Sequence, residues 1–118
     1  MEISVQQLEH GVKKISLSGR MDIDGTDKID LRLSAEAAVE KAYVVLDLSA
    51  LEFMASVGIG AVVRTAKALR LRGGNMVIAA AKPVVALVLR KTGIDAIIPM
   101  LPDLPSALHA VFEPPPKI

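Results

Sequence analysis

Apolar and polar positions alternate along this chain in two rhythms. Ile3, Val5 and Leu8, then Val12, Ile15 and Leu17, form two short runs separated by Glu9-His10-Gly11. That pattern predicts an antiparallel β-hairpin with His10 in its turn. The segment "SGRMDIDGTD" is dense in Gly and Asp and interrupts the pattern. From Lys28 to Lys41 the apolar residues Ile29, Leu33 and Ala37 recur at helical spacing, predicting a helix that begins near Thr26. "AYVVLDL" is a nearly unbroken apolar run rich in β-formers, as expected of a central strand covered on both faces. A short linker follows. From Val57, the residues Ile59, Val62, Val63, Ala66 and Leu69 again keep helical spacing until Gly73 and Gly74 end the helix.

"NMVIAAA" repeats the buried-strand pattern, with Met76 to Ala79 as its inner part. "KPVVALVLRKTG" reads as a helix with Pro83 in its first turn and Gly93 just past its end. "IDAIIPM" predicts a last short strand, and Ser106 is placed to cap a final helix running through Phe112. The proline-rich "EPPPKI" cannot continue that helix. A hairpin followed by helix–strand alternation predicts an α/β fold, a mixed sheet of about four to five strands with helices packed on it. The expected organisation is one domain over residues 1–112 and a tail over 113–118.

With 118 residues and 52% apolar composition, the chain has ample material for one core. Aromatic residues are only 3%, which leaves few rings for stacking nucleic-acid bases, and a net charge of +1 gives no electrostatic pull towards a polyanion. No nucleic-acid partner is expected. The apolar runs "MVIAAA" and "VVALVL" fall far short of the ~18 residues that span a bilayer, so no membrane insertion is expected. The absence of cysteine excludes disulfides and a thiol nucleophile and fits a cytoplasmic location. His10 and His109 stand at no spacing that builds a metal site or a catalytic triad. Asp22, Asp24, Asp27 and Asp30 lack the glycine and closing glutamate of a calcium loop, and the glycines complete no phosphate-binding loop. No metal, cofactor or enzymatic role is expected.

The position that stands out is Ser56, with strand before it and helix after it. A serine there predicts an N-cap, its oxygen accepting a first-turn backbone N–H. The same helix end also suits a phosphate carried on that hydroxyl.

Three stretches together resemble the STAS family, the anti-sigma factor antagonists of bacterial partner-switching systems. "SGRMD" is similar to the family's Gly-x-x-Asp. "VVLDLSALEFMASVGIGAVV" is similar to its Asp-Leu-Ser strand followed by Phe-Met-Asp-Ser-Ser/Thr-Gly-Leu-Gly. "LRGGNMVIAAAKPVVALVLRKTGI" is similar to its later helix, Gly-Gly, strand and helix. The resemblance implies that Ser56 is the phosphoacceptor and that Asp22, Met54, Ala55, Ser56, Val57 and Gly58 meet the partner. It implies as partners an anti-sigma factor with serine kinase activity and a metal-dependent serine phosphatase. Ala55 stands where the family usually has Asp, and Val57 where it usually has Ser or Thr. Those departures keep a second reading open: an unphosphorylated STAS scaffold or adaptor subunit of a lipid-transport or signalling complex.

Overall fold

The computed structural model describes residues 1–115. Strand β1 (Glu2–Gln7) pairs antiparallel with β2 (Val12–Met21), Ile3 opposite Leu17 and Val5 opposite Ile15. The hairpin closes through a single 3-10 turn, where Leu8 N–H donates to the Val12 carbonyl at 2.7 Å and His10 adopts φ 61°. Strand β3 (Tyr43–Met54) runs parallel to β2, β4 (Asn75–Ala79) parallel to β3, and β5 (Met100–Leu101) parallel to β4. The order across the sheet is β1-β2-β3-β4-β5.

Parallel neighbours need crossovers, supplied here by α1 (Ile23–Glu36), α2 (Ser56–Leu71) and α3 (Pro83–Lys91). Because the strand order never reverses, crossovers of one hand put all three helices on the same face. Leu33, Val62, Leu69 and Leu89 there join Ile15, Leu17, Leu46, Leu48, Met76 and Ile78 in the main core. The last helix, α4 (Leu104–Ala110), lies on the other face, where Ala107 and Val111 close a thinner core with Val12, Val45 and Val77. Val44, Leu46 and Leu48 thus face one core while Val45 faces the other. This explains why the middle of β3 is apolar at consecutive positions.

Several boundaries differ from the expectation. Helix α1 starts at Ile23, because Asp22 caps it, and ends at Glu36. The residues after Leu48 do not form a linker but the second half of β3, where two irregularities in the pairing with β2 break the alternation and leave Leu51 and Met54 buried. Of "IDAIIPM", residues Ile94–Ala96 form a 3-10 turn and only Met100 reaches the sheet. Ser106 does not cap α4: Asp103 does, its carboxylate accepting the Ser106 N–H at 2.8 Å. Glu113, the expected first tail residue, is tied to the fold through its carbonyl, which accepts from Asn75 Nδ2 at 3.3 Å. Residues 116–118 of the tail lie outside the described residues.

Candidate functional site

The carboxyl ends of β2, β3 and β4 deliver the chain into the first turns of α1, α2 and α3, so three helix N-termini share one end of the sheet. Two of these junctions are locked together. Ala55 N–H donates to the Met21 carbonyl at 3.0 Å, and Gly58 packs so closely on Met21 that a Cβ there would lie 2.7 Å from Met21 Cγ. Asp22, which directly follows β2, and Ala55-Ser56, which follow β3, are therefore held at adjoining strand ends by backbone.

Of Asp22 and Ser56, only one caps its helix. Asp22 is the N-cap of α1, its Oδ1 accepting the Gly25 N–H at 2.8 Å. Ser56 is not a cap. The N-cap of α2 is Ala55, with extended φ/ψ of −90° and 171°, and its carbonyl accepts the first helical bond, from Ile59 N–H at 3.1 Å. No side chain caps this turn. Ser56 is the first helical residue and is exposed. One end of the sheet thus carries a capped acidic helix start next to an uncapped one, and the uncapped start bears a solvent-facing hydroxyl. A helix N-terminus carries roughly half a positive charge, so this end favours an anion near Ser56.

Around Ser56, Ala55 is half-buried and Val57 is 38% exposed, so both can be touched. Met54 and Gly58 cannot present side chains to a partner: Met54 is 3% exposed within the main core, and Gly58 is the contact that seats α2 on Met21. Sequence reasoning missed the neighbours. Ile23 is 68% exposed at the first position of α1, and Val84 is 56% exposed in the first turn of α3. A signal for Val84 existed, since residues 84–89 are all apolar and a surface helix can bury only one face. Beside the junction, Arg20 lies over the Phe53 ring at 4.4 Å, a cation–π pair joining the ends of β2 and β3.

Charge is distributed unevenly over the helices. Between Phe53 and Ile94 the chain carries Arg64, Lys67, Arg70, Arg72, Lys82, Arg90 and Lys91 and no acidic residue. Helix α1, in contrast, carries Asp24, Asp27, Asp30 and Glu36 against Lys28 and Arg32. Not all the cations are free. Arg70 donates from Nη2 to the Ile97 carbonyl at 2.6 Å and from Nε to Asn75 Oδ1 at 3.2 Å, and its burial lowers its pKa. Arg72 donates back to the Ala68 carbonyl. Arg64 bridges to α1, its Nη2 3.6 Å from Asp30 Oδ2.

A second concavity, about 740 Å³, lies at the opposite end of the sheet between the hairpin turn and α4. Leu8, Val12, Leu104, Leu108 and Phe112 line it with His10 and His109. Among the described residues, no cluster of three or more His, Asp or Glu side chains is arranged to hold a metal ion. No described helix is long and apolar enough to cross a membrane.

A family profile described as the STAS domain matches residues 4–107, which takes in β2 to β5, most of β1 and both junctions of the site. The chain belongs to the STAS-domain family. Across 112 residues, 92% of this chain, it is 29% identical to an anti-sigma F factor antagonist from Paenibacillus polymyxa, of which it covers 94%. Among solved structures, an anti-sigma factor antagonist from Mycobacterium paratuberculosis superposes with a TM-score of 0.85 at 29% identity, covering 95% of this chain and 94% of that one. An anti-sigma-factor antagonist domain protein from Planctomyces limnophilus superposes with a TM-score of 0.83 at 25% identity, covering 94% and 98%. The mixed five-stranded sheet described above is the fold these STAS domains share.

Proposed function

We propose that this STAS domain is an anti-sigma factor antagonist that binds an anti-sigma factor through the surface around Ser56 and loses that affinity when Ser56 is phosphorylated. The observation that carries this reading is the exposed hydroxyl of Ser56 on an uncapped helix start, in a chain whose likeness to anti-sigma factor antagonists covers 92% and 95% of it. Exposed Ile23 and Val57 flank that hydroxyl and supply apolar contact area, and Asp22 supplies a fixed carboxylate.

The switch follows from charge. A phosphate adds about −1.5 to −2 charges at pH 7. On the free domain it sits at the positive end of α2 and is hydrated, so the fold tolerates it. In a complex the same group must be desolvated against Val57 and Ile23, which is costly unless the partner offers a cation. Binding changes while folding does not. Ala55 removes the carboxylate that the family usually places beside the serine, and with it a repulsion against the phosphate. The partner is an anti-sigma factor with serine kinase activity, a metal-dependent serine phosphatase restores the hydroxyl, and the exchange takes place in the cytoplasm.

Incubation with such a kinase and ATP, read by intact mass and peptide mapping, tests the proposal. The expected result is one phosphate, on Ser56, with Ser56→Ala unmodified but still bound to the kinase in calorimetry. An unmodified Ser56 in a chain that nonetheless binds its partner would replace this reading with the permanent scaffold.

A further inference from the structure

Ser56, Gly60 and Arg64 follow one another at intervals of four along α2. Residues so spaced are neighbours on a helix surface, with Cβ atoms about 5–6 Å apart. Helical side chains lean towards the N-terminus, so Arg64 reaches back over Gly60 in the direction of Ser56. The geometry shows this directly: a Cβ built on Gly60 would lie 3.3 Å from Arg64 Nη1. The guanidinium occupies the space a side chain at position 60 would fill, one helical turn from the serine.

Arg64 is not strongly held where it is. Its partner Asp30 is 3.6 Å away across the α1–α2 seam, and the two side chains are 65% and 40% exposed. An exposed pair of that length contributes little and leaves the arginine free to exchange partners. A phosphate is the better partner, because its two charges and three oxygens match the planar fork of a guanidinium.

We propose that Arg64 is the intramolecular receptor for the phosphate on Ser56: on phosphorylation its guanidinium, already lying over Gly60, lets go of Asp30 and pairs with the phosphate. This rests on the reading of Ser56 as phosphoacceptor. Two consequences follow. The modification is felt beyond Ser56, since the acidic face of α1 loses its one link to Arg64. The paired phosphate also fixes the arginine over the first turn of α2, where it covers part of the surface offered to a partner.

The test uses full-length protein with phosphoserine installed at position 56 during translation, so no kinase is involved. The second ionisation of the phosphate, ordinarily near pH 6, is followed by phosphorus NMR. A cation beside the phosphate favours the dianion and lowers that value. Arg64→Gln should therefore raise it by about 0.5 pH unit, Arg64→Lys should restore part of the shift, and Gly60→Leu, which fills the path, should mimic the loss. Asp30→Asn should move it the opposite way by freeing the arginine. Arg20, Asp22, Asp24 and Lys82, the other charges at this end of the sheet, are common to every variant and cancel in the comparison. Salt at 1 M should shrink the differences. Equal values in wild type and Arg64→Gln, with both folded by circular dichroism, would overturn the Arg64 contact and leave the phosphoacceptor reading standing. Failure of a kinase to modify Ser56 would remove that reading, yet this titration would still report on Arg64.

Discussion

Ala55 and Ser56 divide between them two tasks that a single capping serine would combine. Ala55 takes the N-cap geometry without an oxygen to offer, and Ser56 is left with an exposed hydroxyl at the first helical position. Ser56→Ala should consequently change stability by less than about 0.5 kcal/mol, the range of an ordinary surface substitution, and a thermal melt should be nearly superimposable on wild type. Ala55→Asp should do the reverse. It supplies the missing cap, adds about 1 kcal/mol, and raises the melting temperature by on the order of 4 °C, while making a phosphate at Ser56 less favourable. Asp22 caps α1, and that structural role separates by substitution from the recognition role proposed for it. Asp22→Ala should lose about 1 kcal/mol with the Gly25 N–H left uncapped, whereas Asp22→Asn should melt near wild type and weaken only partner binding. Serine 56 itself was legible in the sequence from its register between strand and helix. That it does not cap was not legible, because one residue of shift in the helix start is set by the Ala55–Met21 backbone bond across two strands.

At the scale of elements, the patterns that are local and long were read correctly and those fixed by a distant contact were not. The hairpin, the runs "VVLDL" and "MVIA", and helices α2 and α3 follow from the patterns that burial imposes. Helix α1 could not be bounded that way: its first turn is fixed by Asp22 and by Gly25, where a Cβ would overlap the Arg20 carbonyl. Exposed Ile23 was invisible for the same reason, an apolar residue in a segment that reads as a polar loop. Helix α4 is a short element whose start depends on one carboxylate. Asp103 has its pKa lowered by the hydrogen bonds from Ser106, so the contribution of this cap is complete above the ordinary aspartate value and is lost as pH falls through the lower value in the folded chain. Amide exchange of Ser106 and Ala107, whose N–H groups donate to Asp103, should accordingly quicken, relative to the rest of the chain, as pH falls through and below the usual carboxylate range. Asp103→Asn should flatten that dependence.

The whole molecule is two cores of unequal thickness on either side of one sheet, and the fold class was evident from the alternation of strand and helix patterns. The site required the third dimension. Ile23, Ser56 and Val84 are 33 and 28 residues apart in sequence, and only a monotonic strand order sets them along one sheet end. That same order has a consequence for how the chain comes to be folded. Each strand pairs with the one made just before it, so during synthesis every new strand meets an edge that is already present and needs no segment still to come. The loop that must close at each step is only one helix long, which keeps the entropic barrier of each addition low. Folding should then advance from the hairpin towards β5 in the direction of translation, and pulse-labelled hydrogen exchange during refolding should find β2 and β3 protected before β4, with the two-residue β5 last.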